Sequence, residues 1–135
     1  MKNTFIVLLS FTFLFLTSCT HNSVEESIGE SDYYSKKEIK EAMDTVISTA
    51  RKELSVADIV SLTYDSADCN RVIETIMPTL EVDKTYSQSD ALVINSEIKT
   101  KYSSGSLEPL SNYSNYYWIL IKDDTWKIIY SGFLN

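Results

Sequence analysis

Two thiols, one imidazole, nineteen carboxylates and nine phenols carry nearly all the chemistry open to this 135-residue chain. A cysteine or serine nucleophile needs an imidazole beside the attacking atom. The single histidine, His21, lies in a polar stretch and reads as a solvated side chain rather than a base. A zinc site needs about four Cys, His or carboxylate ligands, which Cys69 and His21 cannot supply. The three glycines are far apart, so no phosphate-cradling loop is present. Calcium requires a spaced run of oxygen ligands closed by an acid. The sequences Asp65-Ser66-Ala67-Asp68 and Asp123-Asp124 are too sparse for that, and read as a helix cap and a hairpin turn. No cofactor is expected. Carboxylate acid–base chemistry remains, because burial beside tyrosines can raise an acid's pKa and tune it as a base. That chemistry needs an acid on an inner face, and the inner faces derived below contain none.

The elements that would position such groups are readable from periodicity. Ser35-Lys36-Lys37-Glu38 is a capping box, in which each residue of the Ser35–Glu38 pair satisfies the other's backbone N–H. Ile39, Ala42, Met43, Val46, Ile47, Ala50 and Leu54 follow at steps of three and four, one apolar stripe on a long helix. Val60, Leu62 and Tyr64 alternate with polar residues, as in a half-buried strand. Asp68 is expected to cap a short second helix whose inner face is Cys69, Val72, Ile73, Ile76 and Met77, ended by Pro78. Cys69 reads as a small buried apolar residue. Residues 80–89 are ambiguous, with an edge strand as one reading. Residues 91–102 read as a strand, and 103–114 as a loop.

The strongest β signal lies at the end of the chain. Asp123-Asp124 as a two-residue turn pairs Lys122 with Thr125, Ile121 with Trp126, Ile119 with Ile128 and Tyr117 with Tyr130. The other face then carries Trp118, Leu120 and Ile129, with Trp118 and Ile129 as cross-strand partners. Exposed together, these three would form an apolar interface patch. The alternative is that the loop 103–114 covers them. The expected fold is α+β: a long N-terminal helix packed on a curved antiparallel sheet. That closure is typical of the cystatin-like or nuclear-transport-factor-2-like cone.

The N-terminus carries a different message. Lys2 is followed by an apolar run through Leu16, then Thr17, Ser18 and Cys19. A charged start, a short apolar stretch and small residues before a cut site make a secretory signal rather than a membrane span. Leu16-Thr17-Ser18-Cys19 resembles the lipobox of bacterial lipoproteins. The resemblance implies a diacylglyceryl group on Cys19 and cleavage just before it. Residues 1–18 are then the signal peptide, 19–32 a flexible acidic tether and 33–135 one α+β domain. Cys69 is left with no internal disulfide partner. Loss of Lys2 with the signal takes the net charge from -7 to -8. An acidic chain without a basic stripe excludes nucleic acid as a partner. The lipid must therefore do the anchoring, and two acyl chains hold where one is marginal.

Further blocks carry a family resemblance. Tyr34-Ser35-Lys36-Lys37-Glu38-Ile39 with Ala42, Leu62-Thr63-Tyr64-Asp65 and Ser104-Gly105-Ser106-Leu107-Glu108-Pro109 are the first three. Asn112-Tyr113-Ser114-Asn115, Trp118-Ile119-Leu120-Ile121 and Trp126-Lys127 complete the set. Together they resemble uncharacterised exported proteins and lipoproteins of Firmicutes with small nuclear-transport-factor-2-like domains. The family carries no assigned activity. Its last strand has a histidine, an aspartate and a second histidine after Trp-Lys, where this chain has Ile128, Tyr130 and Ser131 and keeps Gly132. The expectation is a lipid-anchored, extracytoplasmic, non-catalytic binding or accessory domain. Its partner would be the membrane through Cys19 and an envelope protein or a second copy of the chain. The rival is a carboxylate acid–base enzyme or a binder of a small apolar ligand in the open end of the cone.

Overall fold

The computed structural model describes residues 23–80, 86–102 and 104–134. Five strands form one sheet in the order β1-β2-β3-β4-β5: β1 Glu25–Ile28, β2 Ala57–Tyr64, β3 Ala91–Thr100, β4 Asn112–Lys122 and β5 Trp126–Phe133. Helix α1, Lys36–Glu53, connects β1 to β2. Helix α2, Ser66–Arg71, continues into a π-helical turn at Val72–Ile76 and a 3-10 turn at Met77–Thr79.

Two expectations fall here. The sheet is mixed rather than antiparallel, because β1 pairs parallel with β2. The helix does not open the domain but follows a strand, and the five-stranded sheet dominates the fold. The cystatin-like or nuclear-transport-factor-2-like cone is thereby overturned. The strand that changes the topology lies inside the stretch read as a tether. Glu25, Glu26 and Ser27 are exposed and give no apolar signal. An edge strand needs none: its backbone pairs with β2, while Val24 and Ile28 pack against the core. Two parallel strands need a long crossover between them, and α1 provides it.

Helix α1 follows its sequence closely. Ser35 Oγ accepts from the Glu38 N–H at 3.2 Å, and the Ser35 N–H donates to Glu38 Oε2 at 2.9 Å. Ile39, Ala42, Met43, Val46 and Ala50 are buried, and Arg51 and Lys52 in the last turn favour the helix dipole. Helix α2 starts earlier than expected. Its cap is Asp65, whose Oδ1 accepts from the Asp68 N–H at 2.9 Å. Asp68 is thereby left free to act elsewhere. Pro78 has no N–H, so the α-helical ladder cannot pass it.

The terminal hairpin closes through three residues, not two. Lys122 pairs with Trp126, Ile121 with Lys127 and Leu120 with Ile128. A bulge at Ile129 then resets the register, so Ile119 meets Tyr130, Trp118 meets Ser131 and Tyr117 meets Gly132. The expected pairs Lys122–Thr125, Ile121–Trp126, Ile119–Ile128 and Tyr117–Tyr130 are absent. Further bulges fall at Val60 and at Ser114-Asn115, on either side of Glu97 of β3. Asn115 holds the left-handed backbone (φ 62) that such a bulge uses and that asparagine tolerates.

Both faces of the sheet are covered. Lys122 of β4 reaches Glu38 of α1, while Tyr117 of β4 reaches Asp68 and Arg71 of α2. These two residues have opposite parity on a strand that is regular between them, so they point to opposite faces. The central positions Ala91 to Ile94 and Tyr117 to Leu120 are consequently buried without alternation.

Candidate functional site

The residues expected to form an exposed patch do not form one. Trp118 is 3% exposed and Leu120 0%, whereas Ile129 is half-buried at its bulge. Trp118 and Leu120 share parity with Lys122 and so lie on the α1 side. Trp118 Nε1 donates to Ser96 Oγ at 3.0 Å, and Ser96 Oγ donates to the Tyr116 carbonyl at 2.6 Å. This indole is a satisfied core group. Loop residues Glu108 and Ser111 are tied instead to Thr100, whose hydroxyl donates to the Glu108 carbonyl at 2.6 Å. Cys19 and His21 lie outside the described residues.

Polar side chains from three elements converge on the other face. Arg71 of α2 donates to Asp68 Oδ1 through Nη2 at 2.7 Å and Nε at 3.2 Å. The same Nη2 lies 3.1 Å from Tyr117 OH, and the phenol donates to Asp68 Oδ1 at 3.3 Å. Asn95, paired with Tyr117 across β3 and β4, donates through Nδ2 to Asn115 Oδ1 at 3.1 Å and to Tyr117 OH at 3.4 Å. Asn95 Oδ1 is buried and has no partner among the described residues. Tyr130 borders the group by lying over Gly132, where an added Cβ would come within 2.9 Å of its hydroxyl. Burial, reinforced by Asp68, pushes the Tyr117 phenol above its ordinary pKa. It is a neutral donor and acceptor at physiological pH.

A second set of polar atoms sits on the α1 side. Tyr34 OH and Trp126 Nε1 are buried donors with no partner among the described residues, on rings 5.4 Å apart in an edge-on contact. Burial above all, with Cys69 and Asp90 adding to it, pushes the Tyr34 phenol up to about 12. The Cys69 thiol is free, 3% exposed and pushed up to about 11 by burial. It is protonated at neutral pH and a poor nucleophile.

Sequence reading gave Asp68 a capping role and placed Tyr117 in the terminal hairpin opposite Tyr130, and singled out neither Asn95 nor Arg71. The signal that unites them is long-range register, which places Asn95 opposite Tyr117. Among the described residues no group of three or more His, Cys, Asp or Glu is arranged to hold a metal ion. No described helix is long and apolar enough to cross a membrane. No protein-family model, no curated protein and no solved structure matches the chain.

Proposed function

We propose that this chain is a lipid-anchored, extracytoplasmic binding domain of the bacterial cell envelope. The observation that carries the reading is the N-terminal order of Lys2, an apolar run and Leu16-Thr17-Ser18-Cys19. The lipid on Cys19 would hold the domain at the membrane, and the Asp68, Arg71, Asn95 and Tyr117 face would be its binding surface. Two features favour binding over catalysis there. The Asp68 carboxylate already accepts from Arg71 and Tyr117, and the raised phenol pKa keeps Tyr117 neutral. A ligand that donates a hydrogen bond would satisfy Asn95 Oδ1.

The test is cell fractionation. The parent chain is expected in the membrane fraction, and Cys19→Ser is expected to leave it. Unchanged retention of Cys19→Ser would overturn the anchor.

One observation favours a second reading. Asp68 lies beside a tyrosine on a partly open face, as a carboxylate acid–base enzyme would require. That reading predicts an activity abolished by Asp68→Asn in a protein that stays folded.

A further inference from the structure

We infer that the end of the sheet where β2 begins is a membrane-docking surface that seats the domain directly on the lipid bilayer. The inference rests on the anchor at Cys19 and adds to it an orientation.

Chain length supplies the first argument. The fold starts almost at once after Cys19, because Val24 already packs against the core and β1 begins at Glu25. Four residue steps separate Cys19 from Ser23. Fully extended, they span at most about 14 Å. A domain of roughly 100 residues has a radius of gyration near 13 Å. On so short a leash the surface around Ser23 stays within about 14 Å of the lipidated residue and is the one turned toward the headgroups.

Topology identifies that surface. Glu25 pairs in parallel with Ser61, so the chain before it runs toward Ala57 at the start of β2. The end of β3, the start of β4 and the end of α1 lie at the same end. Thr100 pairs with Ala57, Lys99 pairs with Asn112, and α1 leads into β2 through three residues.

The side chains at that end suit an interface. Among the described residues four large hydrophobic side chains are exposed, and three of them lie here: Tyr102 at 84%, Leu110 at 51% and Phe133 at 38%. Tyrosine places an apolar ring and a polar tip at the headgroup level, and leucine adds apolar area below it. Arg51, Lys52, Lys99 and Lys101 are exposed around them and nearly balance the acids Glu25, Glu53, Asp58, Glu97 and Glu108. The opposite end is more acidic, because Glu30, Asp32, Glu38, Asp65, Asp90, Asp123 and Asp124 outnumber Lys36, Lys37 and Lys122 there. An anionic membrane repels that end more strongly, and the less acidic, aromatic end is the one that can approach.

The test uses the full lipidated chain in phosphatidylcholine and phosphatidylglycerol vesicles with brominated acyl chains. Trp118 and Trp126 are buried and give a constant background. A reporter is placed at Tyr102→Trp or Leu110→Trp, and a control at Asp124→Trp on the opposite end. Flotation with the vesicles reads the anchor separately. The expected result is a floating protein in which bromine quenches the Tyr102→Trp and Leu110→Trp reporters at least about twofold more than the control. A floating protein whose three reporters are quenched equally or not at all overturns the docking surface and leaves the anchor standing. A Tyr102→Trp emission that shifts to the blue without quenching marks a protein partner at that end and also overturns it. A chain that does not float overturns the anchor, and the docking surface with it.

Discussion

The two faces of β4 are buried equally at their centre, by different means. On the α1 side, Trp118 and Leu120 lie within the apolar cluster that holds Ile39, Met43 and Val46, and the Trp118 indole is satisfied within the sheet, while Tyr34 OH and Trp126 Nε1 have no partner among the described residues. On the α2 side, Ile119 is fully buried, yet one pair along Tyr117 anchors a chain of hydrogen bonds through Asp68, Arg71, Asn95 and Asn115. The first face gains from area removed from water, roughly 25 cal/mol per Å². The second gives up some of that area to fix the position of polar groups, each worth only about 1 kcal/mol net. Both faces belong to one buried apolar core, and the α2 side adds to it a network of polar side chains around Tyr117.

The comparison is broken most severely from the α1 side. Leu120→Ala is expected to cost about 2–5 kcal/mol, because the cavity forms at a fully buried position. Chemical denaturation measures it, and a loss below about 1 kcal/mol would show that this face is not the core. Replacing Trp118 with a charged residue is expected to unfold the domain rather than merely remove an interface.

Tyr117→Phe tests the other face. It deletes a hydroxyl shared by Arg71, Asp68 and Asn95 while leaving the ring in place, and is expected to cost about 1–2 kcal/mol. The expected signature is a small loss of stability with a local change in the amide resonances of Asn95 and Asn115. A loss as large as that of Leu120→Ala would put the two faces on the same footing.

Ser35→Ala removes half of the capping box and is expected to cost about 1 kcal/mol, read as a lower denaturation midpoint with an unchanged slope. The smallest effect concerns pH. Hydrogen bonds from the Ser35 backbone, the Lys122 ammonium and the Ser35 hydroxyl hold the Glu38 carboxyl down at about 2, against 4.5 in a free chain. A lowered carboxyl pKa contributes stability above the unfolded value, and that contribution is lost as pH falls through the folded one. Glu38→Gln should therefore lessen the pH dependence of stability between 4.5 and 2. Because the group is exposed, added salt should shrink the difference.

The α1 side was legible because it is local. A stripe at steps of three and four, with a cap at its head, specifies a helix without knowledge of its neighbours, and Ser35, Ile39 and Met43 behave accordingly. Parity was the misleading signal at β4. Alternation separates core from solvent only when one face is wet, and here a helix covers each face, so Trp118 and Leu120 passed for an outer patch. The hairpin register failed by one residue because Thr125 joined the turn, and the Ile129 bulge hid the slip from the alternation pattern. Strand β1 was invisible for a different reason. At a sheet edge the backbone bonds do the work, so Glu25, Glu26 and Ser27 could stay polar. The Asn95 and Tyr117 pairing is set by residues 22 positions apart, and no local pattern announces it.

The central claim is the lipid on Cys19, and the intact mass of the protein extracted from membranes tests it most directly. The account predicts a chain that begins at Cys19 and carries on that residue the added mass of a diacylglyceryl group. An unmodified chain, or one that begins at any other residue, would contradict it.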